Sequence, residues 1–110
     1  MAYDEALAER IRGLIGDEAG VTEKKMFGGL AFLFSGNMAV AASGQCGLMV
    51  RVDPADSEML VRTTAAEVMV MRGRPMAGWL RLASSAVAER DELAGWVARG
   101  VAFARSLPAK

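Results

Sequence analysis

Lys24-Lys25-Met26-Phe27-Gly28-Gly29-Leu30-Ala31-Phe32 is the stretch that decides how this chain folds. Two cations lead into an apolar segment that continues to Phe34, and such runs are typical of β-strands. We therefore predict one strand over Lys25–Phe34. Glycine inside a strand marks a bulge or a close backbone contact. Gly28-Gly29 is therefore interpreted as a packing device and not as a phosphate loop, in which the lysine would follow the glycines.

The sequence on either side of this strand predicts helices and further strands. Upstream, apolar residues at helical spacing predict a helix from about Asp4 to Ile15, followed by a loop over 16–22. Downstream, turn-forming residues at 35–37 and 43–45 bound two more β-type segments. We expect these segments, Met38–Ala42 and Gly47–Val52, to complete an antiparallel meander.

The dipeptide Asp53-Pro54 combines a preferred N-cap residue with proline at the first helical position. It predicts a short helix over Pro54–Arg62 that buries Met59 and Leu60. Beyond this helix, β-type segments separated by the loop Arg72–Pro75 predict the last two strands, Val68–Met71 and Met76–Leu82.

The last predicted element is a long helix, since apolar residues keep helical spacing as far as Leu107 and Pro108 ends the run. Its start lies between Ser84 and Asp91. The chain of 110 residues is then one domain, 1–110, with the order α-β-β-β-α-β-β-α. We predict an α+β fold in which one antiparallel sheet carries the helices on one face.

The sheet face turned away from the helices is predicted to be partly apolar. Alternation along the strands places one set of branched apolar residues against the helices and leaves a different set on the opposite face. The residues expected to face the helices are Leu48, Val50, Val52, Leu80 and Leu82. A patch of Met and Trp edged by Arg is typical of a contact surface. We therefore predict a homodimer or a protein partner across this face, at Met49, Arg51, Trp79 and Arg81.

The residue types present argue against most catalytic chemistry. The chain has no histidine and one cysteine, Cys46, so Ser-His and Cys-His pairs and ordinary zinc sites are excluded. The eight methionines are attributed to the core. We expect no enzymatic activity, no metal and no cofactor, and a passive thiol at Cys46.

The net charge and the hydropathy of the chain indicate which ligands it can bind and where in the cell it acts. Basic and acidic residues number 13 each, so direct binding to nucleic acid is not expected. Two alternative functions are the binding of a small anion at a cluster of cations, against the simpler interpretation of a solvated turn, and weak binding of nucleic acid. The absence of a membrane span or secretory signal favours the cytoplasm. The cations of the hypothetical anion site are Lys24, Lys25, Arg72 and Arg74.

Four motifs follow one another along essentially the whole chain: Lys24–Phe32, Gly47–Val52, Gly73–Trp79 and Ala102–Pro108. Together they resemble the TfoX N-terminal domain family, also called Sxy. The resemblance implies a fold similar to the secretion-chaperone class and a regulatory role. The family's named members promote natural competence in bacteria by assisting transcription with the cyclic-AMP receptor protein, and they carry a second, C-terminal domain. We expect a stand-alone, non-enzymatic regulatory or protein-interaction module, with no catalytic residue to carry over.

Overall fold

The computed structural model describes residues 5–26, 28–43, 47–71 and 73–108, which form three α-helices and six strands. A single turn of 3-10 helix, Ser84–Val87, precedes the last helix. In chain order the elements are α1 (Glu5–Ile15), β1 (Val21–Met26), β2 (Gly29–Phe34), β3 (Asn37–Ala42), β4 (Leu48–Arg51), α2 (Pro54–Thr63), β5 (Glu67–Met71), β6 (Arg74–Leu82) and α3 (Arg90–Ser106).

The six strands form one sheet in the order β1-β2-β3-β4-β6-β5, and all neighbours are antiparallel. Because β5 returns outside β6, α2 can connect β4 to β5 across the helical face of the sheet. The predicted class, an α+β fold with one antiparallel sheet and helices packed against it, is confirmed.

The sheet has one strand more than predicted, because Lys25–Phe34 is not a single strand. It contains a hairpin in which Met26 opposes Gly29, so Gly28 lies in the turn with φ of 75°. Glycine adopts positive φ without the steric cost of a Cβ atom, and a two-residue hairpin turn requires such angles. The interpretation of Gly28 as part of a bulged strand is therefore wrong. Phe27 lies outside the described residues.

The core lies between the helices and one face of the sheet. Phe32, Leu48, Val50 and Leu80 are all fully buried there, together with Ile11 of α1. The predicted alternation along β4 and β6 is confirmed, since the residues expected to face the helices belong to this cluster. Removing a buried aromatic ring such as that of Phe32 typically costs about 3–5 kcal/mol of unfolding free energy.

Helix α2 begins as predicted, but it buries different side chains. The Asp53 carboxylate accepts a hydrogen bond of 2.9 Å from the Ala55 N–H, which caps the helix. Leu60 is buried, whereas Met59 is 43% exposed, so its predicted burial is wrong. Ser57 is the other buried residue of α2, and its hydroxyl accepts a 3.3 Å hydrogen bond from the Gly78 N–H. Met59 is two residues further along, on the opposite side of the helix.

Helix α3 lies against β3 at very short range. A Cβ atom on Gly100 would lie 2.5 Å from the Ala39 carbonyl oxygen, so only glycine allows this approach. Beyond the helix, the Asn37 side-chain amide donates a 2.9 Å hydrogen bond to the Pro108 carbonyl, which links Pro108 to the β2–β3 turn. No helix among the described residues is long and apolar enough to cross a membrane.

A candidate binding groove between α2 and α3

A groove separates α2 from α3 on the helical side of the molecule. It consists of two adjoining hollows of about 260 and 530 Å³ that share Gly95 and Arg99 as lining residues. One hollow joins the end of α2 to the start of α3, and the other joins the start of α2 to the second half of α3. The two helices therefore run antiparallel along the groove. From Asp91 to Phe103, α3 rises about 18 Å, which sets the groove's length.

The floor of the groove is apolar and partly aromatic. Leu60 and Trp96 are buried at its first hollow, and the half-buried Phe103 lines the second. The guanidinium carbon of Arg51 lies 5.1 Å from the ring centroid of Trp79 and 5.6 Å from that of Phe103. A cation at that distance is attracted to both ring faces, so Arg51 holds Phe103 in place from the sheet side.

Gly95 makes the groove wider without serving the chain's own packing. A Cβ atom at this position would find no atom within 4 Å. Glycine in a helix interior is roughly 1 kcal/mol less favourable than alanine. At Gly100 the contact with β3 explains the glycine, but no contact within the described chain explains Gly95. The missing side chain leaves open space where the two hollows meet.

The rim of the groove is acidic at both ends. Asp53 and Asp56 lie at one end, and Asp91 and Glu92 lie at the other. Acidic residues in the first turn of a helix favour its dipole, which is one reason for their presence. Within the described ranges none of the four forms a salt bridge, since the ion pairs there join other residues. Arg99 lies between the two ends, and its guanidinium carbon is 5.9 Å from the ring centroid of Trp96.

The exposed Met59 lies on the same side of α2 as the groove residues. Asp56, Met59, Leu60 and Thr64 follow the spacing i, i+3, i+4 and i+8, which places them along one side of a helix. Met59 is one of the two strongly exposed large hydrophobic residues of the described chain. Its thioether therefore adds apolar surface beside the groove.

Among the described cations of the predicted anion site, the structure places Lys24 and Lys25 far from Arg74. Lys24 and Lys25 are exposed on β1, at one edge of the sheet. Arg74 is exposed at the start of β6, next to the strand at the other edge. Three strands lie between β1 and β6, which corresponds to about 19 Å across the sheet. Arg72 lies outside the described residues.

The residues predicted for the opposite sheet face are only partly available for contact. Met49 is 6% exposed and forms a second apolar cluster, against which the half-buried Trp79 packs. Arg81 is exposed, whereas Arg51 is half-buried and reaches Phe103 of α3. The face is apolar as predicted, but its central methionine is already covered within the chain. The role of these residues as an interface stays a prediction.

A comparison with protein families gives one result that covers most of the molecule. The model of the TfoX N-terminal domain matches residues 14–104. This chain belongs to the TfoX N-terminal domain family. Both walls of the groove, 53–64 and 91–103, fall inside the matched range. No curated protein matched the chain.

The motif glycines of this TfoX-type domain serve its backbone. Gly73 forms the β5–β6 turn with φ of 78°, and Gly78 adopts φ of 87° beside the start of α2. A Cβ atom on Gly78 would lie 3.0 Å from the Val52 carbonyl oxygen and 3.1 Å from Cγ of Pro54. The motif around Trp79 therefore positions α2 on the sheet, and thereby one wall of the groove.

The sequence contains two weak signals of the groove. An unexplained glycine within a predicted helix is one, and carboxylates at the starts of two helices are another. Neither shows that the two helices lie side by side. The structure shows no cluster of three or more potential metal ligands in the portion of the TfoX-type domain that it describes. Cys46, predicted to be a passive thiol, lies outside the described residues.

Proposed function

We propose that this chain is a non-enzymatic regulatory module of the TfoX type, which acts in the cytoplasm by binding another protein in the α2–α3 groove. The groove is the observation that carries the proposal. It has an apolar, partly aromatic floor and a charged rim, which is the arrangement of protein-binding sites. Family membership supports a regulatory role like that of the competence regulators.

The chemistry of the groove favours binding over catalysis. The chain has no histidine to act as a general base near neutral pH. Asp53, Asp91 and Glu92 are exposed on the rim, whereas catalytic carboxylic acids typically occupy buried, apolar surroundings. What the groove does offer is apolar surface at Ala98, Ala102 and the half-buried Phe103, which a partner's apolar side chains can cover.

The proposal is tested by filling the groove and comparing what the protein captures from a native lysate. Gly95→Gln places a side chain in the groove and uses a residue with good helix propensity. Gly13→Gln is the matched control, because Gly13 is also a helical glycine with no atom within 4 Å of a Cβ position, and it lies on α1.

A partner that is captured by the wild type and by Gly13→Gln, and lost with Gly95→Gln, is the expected result. A partner retained equally by all three proteins would show that the groove is not its binding site. Circular dichroism of each variant checks that the helices remain folded.

We also propose that the chain forms a homodimer through the sheet face opposite the helices. Leu33, Met69 and Trp79 are half-buried there and surround the buried cluster that contains Met49. Covering these side chains in a second copy would remove apolar surface from water. Sedimentation velocity is expected to show a dimer at high protein concentration. A single monomeric species up to the solubility limit would contradict this.

A further inference from the structure

We infer that the occupant of the α2–α3 groove is a basic amphipathic helix of the partner protein. This inference rests on the proposed function, and it specifies the conformation and the charge of the segment that binds. Three features of the groove support it. Its walls are helices whose backbone groups are largely hydrogen-bonded already, its length and the open space at Gly95 suit a short helix, and carboxylates lie at both of its ends.

The walls of the groove favour a helical occupant over an extended one. In the described chain, both hollows are lined by helix residues, by the cap residue Asp53 and by Thr64, and no strand residue takes part. An extended peptide gains much of its affinity by pairing its backbone with an exposed strand edge. The backbone groups of α2 and α3 are largely used within the helices themselves. A bound segment must therefore satisfy its own hydrogen bonds, which a helix does.

The dimensions of the groove suit a short helix. Its length of about 18 Å corresponds to roughly three helical turns. Helices pack with their axes about 8–10 Å apart, and small residues at the contact allow the shorter distances. Gly95, at the junction of the two hollows, provides such a contact. The apolar side chains of the bound helix would then lie on Ala98, Ala102 and Phe103.

The charges of the groove define the sequence pattern of the occupant. The carboxylates at its two ends have no salt-bridge partners among the described residues, so they favour Lys or Arg near both ends of the bound helix. Arg99 lies between these ends and favours an acidic or neutral residue at the centre. The same carboxylates repel phosphate groups, so nucleic acid does not fit this groove.

The inference is tested with two synthetic peptides of about 14 residues, enough for the three turns of the groove. Both carry leucines on one helical face. One has lysines at both ends and the other has glutamates at the same positions. Binding is followed by tryptophan fluorescence, because Trp96 lies in the groove floor, and by calorimetry.

The lysine peptide is expected to bind at least about tenfold more tightly than the glutamate peptide at low salt, with a smaller difference at high salt. The double variant Asp91→Asn with Glu92→Gln should weaken binding of the lysine peptide several-fold. Gly95→Gln should abolish its binding, and Gly13→Gln should leave it unchanged.

Each other outcome contradicts a defined part of the inference. Equal affinities, or a preference for the glutamate peptide, would overturn the basic character of the occupant. Binding that survives Gly95→Gln would overturn the groove as the helix site. If neither peptide binds, but a lysate partner is still lost with Gly95→Gln, the proposed function stands and the helix inference fails.

Discussion

Gly95 and Gly100 lie five residues apart on α3 and have opposite structural surroundings. At Gly100 a Cβ atom would lie 2.5 Å from the Ala39 carbonyl oxygen and 2.9 Å from Cγ1 of Val40. At Gly95 it would meet nothing within 4 Å. The same residue type therefore permits close packing at one position and leaves open space at the other.

Alanine substitutions at these two positions should change stability in opposite directions. Gly95→Ala is expected to raise the unfolding free energy by about 0.5–1 kcal/mol, because alanine restricts the unfolded chain and favours the helix. Gly100→Ala should lower it by roughly 1–3 kcal/mol, because α3 must move away from β3. Urea unfolding measures both. A loss of stability in Gly95→Ala would show that this position is not open.

At the scale of elements, a forked ion pair joins α1 to β1. The Arg12 guanidinium donates two hydrogen bonds of 2.7 Å to the carboxylate oxygens of Glu23, and it also contacts Glu9. The hydrogen bond from Arg12 holds the pKa of Glu23 below its ordinary value of 4.5. The same bond raises the pKa of Arg12. The pair fixes α1 to the edge strand of the sheet.

This pair should make the stability of the domain depend on pH in a defined direction. Because the pKa of Glu23 is lower in the folded state, the contribution is complete above about pH 4.5 and is lost as the pH falls through the folded value. Glu23→Gln should therefore be less stable than the wild type at neutral pH, and the difference should shrink in acid.

Urea midpoints at neutral and acidic pH measure this difference. Glu58→Gln, at an exposed position of α2 that forms no salt bridge within the described chain, is the control for the loss of a carboxylate outside this ion pair. A gap between the wild type and Glu23→Gln that widens as the pH falls would contradict the assignment.

The elements also show what sequence could and could not predict. Helix α2 was predictable because Asp53-Pro54 acts locally, through a cap and a fixed φ. The β1–β2 hairpin was missed because a glycine in a turn and a glycine in a bulge give the same local signal. The groove depends on the separation of two helices that are distant in sequence, and no local pattern encodes that distance.

At the scale of the whole molecule, the order of the strands determines which charges can act together. Lys24 and Lys25 lie at one edge of the sheet, and Arg74 lies near the other. The sequence suggested one anion site for them, but strands β2, β3 and β4 lie between β1 and β6 and keep these cations about 19 Å apart across the sheet. The acidic residues around the groove come instead from the starts of two helices that the fold sets side by side.

This separation predicts independent effects of charge reversal. The double variant Lys24→Glu with Lys25→Glu, and the single variant Arg74→Glu, should change the unfolding free energy additively, within about 0.5 kcal/mol, because distant sites do not couple. A double-mutant cycle by urea unfolding measures the coupling. Coupling well above that limit would show that these cations share a site.

The fastening of both groove walls has a consequence for the kinetics of binding. Backbone contact at Gly100 fixes α3, and the hydrogen bond from the Gly78 N–H to Ser57 fixes α2. With neither helix free to swing, an occupant would meet a preformed site, as in complexes whose backbones move little on association. Stopped-flow traces should then show a single phase whose rate rises linearly with peptide concentration, without the plateau that a slow opening step would impose.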